Sequence, residues 1–576
     1  MPEAESKNPL ESLSQKLIEE HWEFYPTAGS SIGRHEYDGR LPDLSPASLR
    51  RQVSELNAGL EQLKAIDVGA AQSKERLSHQ MLEHFLRREL FTFNEMKPLE
   101  NNPMRQTAFL NVGGYIRRDY APITDRVRSA TQVLAQVPDF LGVLDAALEQ
   151  EIGPPVLEMS IESYSGMARF YREDLPKALA DFGDAELDHS TVSQFNLARE
   201  KAAVAVDRFV AAMESRLAKT QGDFAIGSTL YSSMLATGEG VDLPLAEITR
   251  VGQANLDANL EQVKELAQRL SIEQGKALEQ GKAPEQGSAS GSVNVSEIVA
   301  DIGSRHPTAE ALIPATRNML EDLRQVLIDL DIITVPSDDR CLVMETPTDM
   351  RYAFAAMDSA GAMETRATES FYYVTPVEPE WPAAQQEEWL SNFNYDTLRI
   401  ISIHEVFPGH FVHHLHNRYG IGLPLVNRAA TSYAFTEGWA HYAEQMMMET
   451  EYAKDKTALQ LTQVLEALVR NCRYMCSIWM HTQGMSVEDA TRFFMDNAYM
   501  GELPARREAL RGTFDPGYLN YTLGKLMIIK LAQDYRREQA SAFSLKGFHD
   551  RLLSYGAPPL PLVREQMLNE PGSSPL

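Results

Sequence analysis

The stretch ISIHEVFPGHFVHHLHNRYG, residues 401–420, nearly matches a helical zinc-binding signature. Zinc hydrolases of that kind read His-Glu-x-x-His on one helix. Here the order is His404-Glu405-Val406-Phe407-Pro408-Gly409-His410, so the second histidine comes two residues late. Residues four apart on a regular helix are separated by about 40° around the axis and share a face. Residues six apart are separated by about 120° and cannot both face one ion. Pro408 lacks a backbone donor and disfavours helical geometry at Phe407. Gly409 accepts backbone angles closed to other residues. The pair predicts a helix beginning near residue 395 and interrupted at Pro408-Gly409. A bulge there would return His410 to the face of His404. His410 and His414 have regular i,i+4 spacing, but no Glu follows His410.

A catalytic zinc site needs three protein ligands, an open position and a base. SYAFTEGWAHYAEQMMMET, residues 432–450, places Glu437, His441 and Glu444 roughly on one face of a following helix. GIGLPLVN, residues 420–427, reads as the turn between the two segments. His404, His410 and Glu437 then make a two-His, one-Glu set for one Zn2+ per chain. Glu405 stands beside His404 as the base. His441 either orients a ligand or is a helix-face histidine. His413, His414 and His416 read as surface or packing histidines.

The chain around this stretch has 576 residues, 43% hydrophobic and 23% charged, enough for a large core in two or more lobes. Its net charge of −27 repels phosphate backbones, which argues against a nucleic-acid partner. No run of about 18 apolar residues predicts a membrane span. MPEAESKNPLESLSQ lacks the basic and apolar regions of a secretory signal. The three cysteines, Cys341, Cys472 and Cys476, are too sparse for a disulfide framework. Together these features predict a cytoplasmic protein. Cys472 and Cys476 read as buried small hydrophobes rather than metal ligands.

Most of the chain has helical periodicity. Leu10, Leu13 and Leu17 share a stripe, as do Leu461, Leu465, Leu468, Cys472, Met475 and Trp479. Residues 126–150 are helical around Pro138, read as a kink or boundary. Residues 271–297 repeat Glu-Gln-Gly three times and drift into Gly and Ser. They read as a low-complexity linker or surface insertion between an N-terminal helical half, 1–270, and a C-terminal half, 298–576. Strand signals are few: IITVP (332–336), CLVMETP (341–347) and the stronger SFYYVTPVEPEW (370–381). A strand beside a peptidase site either holds substrate as an added strand or completes a small sheet.

HEVFPGH and EGWAHYAE resemble a bacterial family, the domain of unknown function 885. The resemblance extends to FYPTAGSSIGRHEYDGRLPDLS (24–45) and DPGYLNYTLGKLMIIKL (515–531), so it covers nearly the whole chain. The family is grouped with mostly helical zinc metallopeptidases. The resemblance implies His404, His410 and Glu437 as ligands and Glu405 as base. It also implies that Tyr521, at the family's Tyr-x-x-Gly position, donates to the oxyanion. His481 falls on a family histidine, but Ser477 stands where the family has the Asp of an Asp–His pair. Arg506, Arg507 and Arg511 precede Tyr521, and one of them is a candidate clamp for a peptide carboxylate.

These readings predict a mostly α, multi-helix metallopeptidase-like fold with a small β-sheet next to the active-site helix. The expected activity is zinc-dependent hydrolysis of short peptides in a cleft between the two halves. Two rivals stay open: a metal-dependent hydrolase of a non-peptide amide or ester, and a scaffold with a decayed site. A di-metal carboxylate bundle would need Glu-x-x-His pairs, and Glu437 and His441 are one residue too far apart.

Overall fold

The structure is a computed structural model that describes residues 8–69, 73–180, 182, 187–275, 294–347, 351, 354–572 and 574–576. Three cores organise it. The first joins α1 (Pro9–Phe24), α2 (Pro46–Lys64) and α3 (Ser73–Phe91). It is built from Leu10, Leu13, Leu17, Trp22, Leu60 and Phe85, and Val426 and Ala430 of the C-terminal half complete it. The second core is formed by α4 (Ile123–Ala147), α5 (Pro154–Arg169) and α6 (His189–Leu217). Pro138 does not end α4. Val133, Leu134 and Val137 before it and Phe140, Leu141 and Leu144 after it pack into the same core. That shared burial outweighs the backbone hydrogen bond that proline removes.

The third and largest core begins with α7 (Ser228–Glu239) and α8 (Leu245–Glu273). It continues in α9 (Tyr395–Glu405), α10 (His410–Tyr419), α11 (Tyr433–Met448), α12 (Thr457–Thr482), α13 (Glu502–Phe514) and α14 (Asn520–Gln539). Packing therefore changes before Tyr231, whereas composition changes at residue 271. The Gly/Ser-rich stretch lies between α8 and a helix starting at Val295, and both belong to the same core. Residues 276–293 of that stretch lie outside the described residues.

One three-stranded sheet has the order β1 (Cys341–Glu345), β3 (Ser370–Val374), β2 (Ala355–Asp358). β1 runs parallel to β3 with Cys341 opposite Ser370, and β2 runs antiparallel with Ala355 opposite Val374. Residues 332–336 are not a strand. Side chains satisfy their backbone instead: His549 Nδ1 lies 2.7 Å from the Ile332 carbonyl oxygen. His416 Nε2 lies 2.9 Å from that of Thr334, whose N–H donates to Asp550 at 2.8 Å. β2 was not legible in the sequence, because AAMD is short and all four residues are half-buried.

Two glycines bring α11 and α14 into backbone contact. A Cβ on Gly524 would lie 1.8 Å from the Ala434 carbonyl oxygen, and one on Gly438 would lie 2.5 Å from the Gly524 carbonyl carbon. Neither neighbour is a side chain that can turn away. Gly524→Ala is expected to lower stability by about 2–3 kcal/mol, read by chemical denaturation, because the helices must separate.

Candidate metal centre

α9 stops at Glu405, Val406 leaves helical geometry at φ −123° and ψ −74°, and α10 restarts at His410 behind Gly409. The Phe407–Pro408 peptide bond is cis. The backbone winds more widely between the two helices. Gly409 N–H donates to Ile403 O at 2.9 Å and Val412 N–H to Val406 O at 3.3 Å, each six residues back rather than four. These wide turns absorb the two extra residues. Gly409 permits the winding, since a Cβ there would lie 1.6 Å from the His404 carbonyl oxygen. Trp439, fully buried on α11, braces the turn: its indole N–H donates to Pro408 O at 3.0 Å and lies 3.3 Å from Gly409 O. Trp439→Phe removes the indole donor from Pro408 O, while Gly409 O keeps the His413 N–H at 3.1 Å. Its expected cost is about 1–3 kcal/mol in denaturation.

The turn returns His410 to His404. Their ring centroids are 4.9 Å apart at 87°. Glu437, from α11, places Oε2 at 3.5 Å from His404 Nε2 and 3.4 Å from His410 Nε2. One donor atom from each residue lies within 4.8 Å of the others. Metal–ligand bonds of about 2.0–2.1 Å in a tetrahedron separate donors by about 3.4 Å, which matches both Glu–His distances. Glu437 Oε2 is buried and forms no well-aligned hydrogen bond among the described residues. Two imidazoles and a carboxylate favour an ion of zinc type over calcium or magnesium. The residues present fit zinc.

The surroundings support that assignment. His404 Nδ1 lies 2.7 Å from Glu444 Oε1, which leaves Nε2 as the nitrogen that faces Glu437. Glu444 is fully buried, and His441 Nδ1 at 3.2 Å and Arg470 Nη2 at 3.3 Å hold it. Burial opposes ionisation of Glu444. Arg470 and then His441 overcome it and keep the carboxyl well below its ordinary range. Glu437 behaves alike: burial opposes its charge, and His410 and His404 prevail. Burial also disfavours a charged His404, yet the neighbouring carboxylates Glu437 and Glu444 lift it to about 10. The cluster therefore calls for positive charge at this corner.

Glu405 accepts a hydrogen bond from Met357 N–H of β2 through Oε2 at 3.1 Å. Phe354 O, at the head of β2, accepts from Thr375 N–H at 2.9 Å on the β3 side. Backbone groups of an antiparallel strand alternate in direction, so Ala355 and Met357 turn theirs away from β3, toward the site. Tyr521, at the start of α14, lays its ring against His404 with centroids 6.4 Å apart and planes 20° apart. The Gly438–Gly524 contact sets this placement, since Gly438 follows Glu437 and Gly524 is three residues beyond Tyr521. Burial, then the charge of Glu437, raises the Tyr521 pKa, so its hydroxyl keeps its proton and can donate.

The expected site residues thus divide. His404, Glu405, His410, Glu437 and Tyr521 come together. His481 does not join them. It is 1% exposed, its Nε2 lies 2.7 Å from Gly512 O, and its ring packs on Phe224 and Tyr231. Ser477 donates to Pro516 O at 2.7 Å and pairs with Tyr231 at 2.6 Å, not with His481. His413 and His416 serve the carbonyls of Gly556 and Thr334. His414 is driven down to about 4, first by burial and then by Arg418. Arg506 and Arg507 form exposed pairs with Glu488 and Glu162, and only Arg511 reaches Tyr521. Cys472 and Cys476 are buried and free. His441 does not touch His404 directly: Glu444 contacts His404, and His441 holds Glu444. Trp439, Arg470 and the β2 edge were not anticipated. Trp439 had a signal in its place beside Glu437, but no periodicity assigns its indole to the Pro-Gly turn.

Residues 26–567 match a family described as bacterial protein of unknown function, DUF885, and the chain belongs to it. Two solved structures share the fold. A candidate lipoprotein of unknown function from Shewanella oneidensis superposes with a TM-score of 0.78 at 21% identity, over 97% of this chain and 100% of the other. A candidate lipoprotein from Colwellia psychrerythraea gives 0.79 at 17% identity, over 97% and 98%. No curated protein matches the chain. Among the described residues, no helix is long and apolar enough to cross a membrane.

Proposed function

We propose that this chain is a zinc-dependent metallopeptidase acting on short peptides. One observation carries the reading: the interrupted helix brings His404 and His410 to 3.5 and 3.4 Å from one buried oxygen of Glu437. His404, His410 and Glu437 would hold one zinc ion. Zinc so bound supplies Lewis-acid polarisation of a carbonyl and acidifies water. Glu405 takes the proton of the attacking water and passes it to the leaving amine. Tyr521 donates its hydroxyl hydrogen to the developing oxyanion. The edge of β2 takes the substrate backbone as an added strand, with Glu405 at its rim.

That edge favours a peptide over a non-peptide amide or ester, which the same ionisable groups would otherwise serve. The retained base beside both histidines argues against a decayed scaffold. With a net charge of −27, nucleic acid is not proposed as a partner. The cytoplasm is proposed from the three free cysteines. The description of both solved relatives as candidate lipoproteins supports the cell envelope instead, and cell fractionation decides. A peptide-library digest read by mass spectrometry tests the activity. Zinc-dependent cleavage is expected; a zinc-loaded chain that leaves every peptide intact while hydrolysing ester or amide probes would favour the rival.

A further inference from the structure

Three arginines stand around Tyr521 and the ligand cluster, and they are not equally engaged. Arg470 is held by Glu466 and Glu444, with 11% of its side chain exposed. Arg473 lies over the Tyr521 ring at 4.9 Å and makes a two-pronged pair with Glu508, both contacts 2.7 Å, with 13% exposed. Arg511 differs. Its Nε and Nη2 share a single oxygen of Asp515 at 3.3 and 3.2 Å, and its Nη1 forms no hydrogen bond among the described residues. Its side chain is 31% exposed. The Nη2 also donates to Tyr433 Oη at 3.0 Å and lies 3.4 Å from Tyr521 Oη. Arg511 is thus the one cation of the three with an open donor edge, and it borders the oxyanion donor.

We infer that Arg511 binds the C-terminal carboxylate of the substrate, which makes the enzyme a carboxypeptidase. This rests on the peptidase reading above and narrows it. Arg511 and the Tyr521 hydroxyl are neighbours, with Nη2 3.4 Å from Oη, so groups bound to the two belong to adjacent positions of a substrate chain that advances about 3.5 Å per residue. A carboxylate on Arg511 belongs to the residue just after the scissile bond. Nε and Nη2 of Arg511 already serve Asp515 and Tyr433, so its Nη1, with two N–H donors, is the nitrogen that meets the carboxylate, held in place by those contacts as a mobile lysine would not be. Arg470 and Arg473 already spend their forks on glutamates. In the reaction, water adds its oxygen to the scissile carbonyl carbon and the C–N bond breaks. Glu405 carries the water proton to the leaving amine, and one free amino acid departs with its carboxylate on Arg511.

The test compares one peptide with a free C-terminus and the same peptide amidated. The wild-type enzyme is expected to release single C-terminal residues from the acid, with kcat/KM about 30- to 100-fold lower on the amide. In Arg511→Gln the acid-to-amide ratio should fall to near one, and Arg511→Lys should restore it only in part. Zinc content should not change. Equal wild-type rates on acid and amide would overturn the inference. So would an Arg511→Gln loss shared equally by both, which would make Arg511 only a positioning residue for Tyr521. Calorimetric binding of the two peptides to Glu405→Gln reads the contact without turnover. Preference for the acid with no cleavage by wild type would defeat the peptidase reading alone, whereas equal binding would defeat the carboxylate contact alone.

Discussion

Gly409→Ala is expected to abolish zinc binding and peptide hydrolysis together. The added methyl would lie 1.6 Å from the His404 carbonyl oxygen, 2.3 Å from its carbon and 2.5 Å from the Ile403 carbonyl oxygen. All three atoms are backbone, so no rotamer change relieves the overlap. The turn must unwind, and the same turn carries His410 back to His404. The expected cost is on the order of 4 kcal/mol or more if the native turn is kept. The chain escapes that cost by releasing His410. Metal analysis of the purified variant should find less than about a tenth of an equivalent of zinc, with far-ultraviolet dichroism still helical. A Gly409→Ala chain that keeps its zinc would contradict the geometry of the turn.

Glu405→Gln is expected to lower kcat by about 10³-fold or more while zinc stays bound. The side chain is not among the three ligands, and its volume is conserved. The amide oxygen of the variant can still accept from Met357 N–H, so the β2 edge keeps its place. What is lost is the ability to take a proton. Turnover should fall without a matching rise in KM, because the contacts to the substrate backbone remain. Turnover within threefold of wild type would remove Glu405 as the base.

Much of this centre was legible because the residue types in the interruption encode its geometry. Pro and Gly are the two residues that can stop a helix and rewind it, so HEVFPGH announced both the break and its repair. Helical spacing placed Glu437, His441 and Glu444 on one face, and the two-His, one-Glu donor set with the family resemblance singled out Glu437. What was not legible depended on contacts between segments distant in the chain. Trp439 spans to a turn about thirty residues earlier. The choice of Arg511 over Arg506 and Arg507 depends on which neighbours the helix meets, Asp515 and two tyrosines or the exposed Glu488 and Glu162. IITVP has strand composition, but His416, His549 and Asp550 satisfy its backbone, so no strand forms. The sheet's third member came from a four-residue segment with no alternation. The linker composition marked an insertion within one core, not the place where packing changes, and His481 carried a family position into a core role.

Zinc content is the decisive quantity. The chain is purified without chelators and analysed by inductively coupled plasma mass spectrometry beside Glu437→Ala. About one zinc per wild-type chain is expected, and less than about a tenth in the variant. Wild-type chain that holds no zinc even after zinc is added and excess removed, or Glu437→Ala that retains a full equivalent, would refute the three-ligand site.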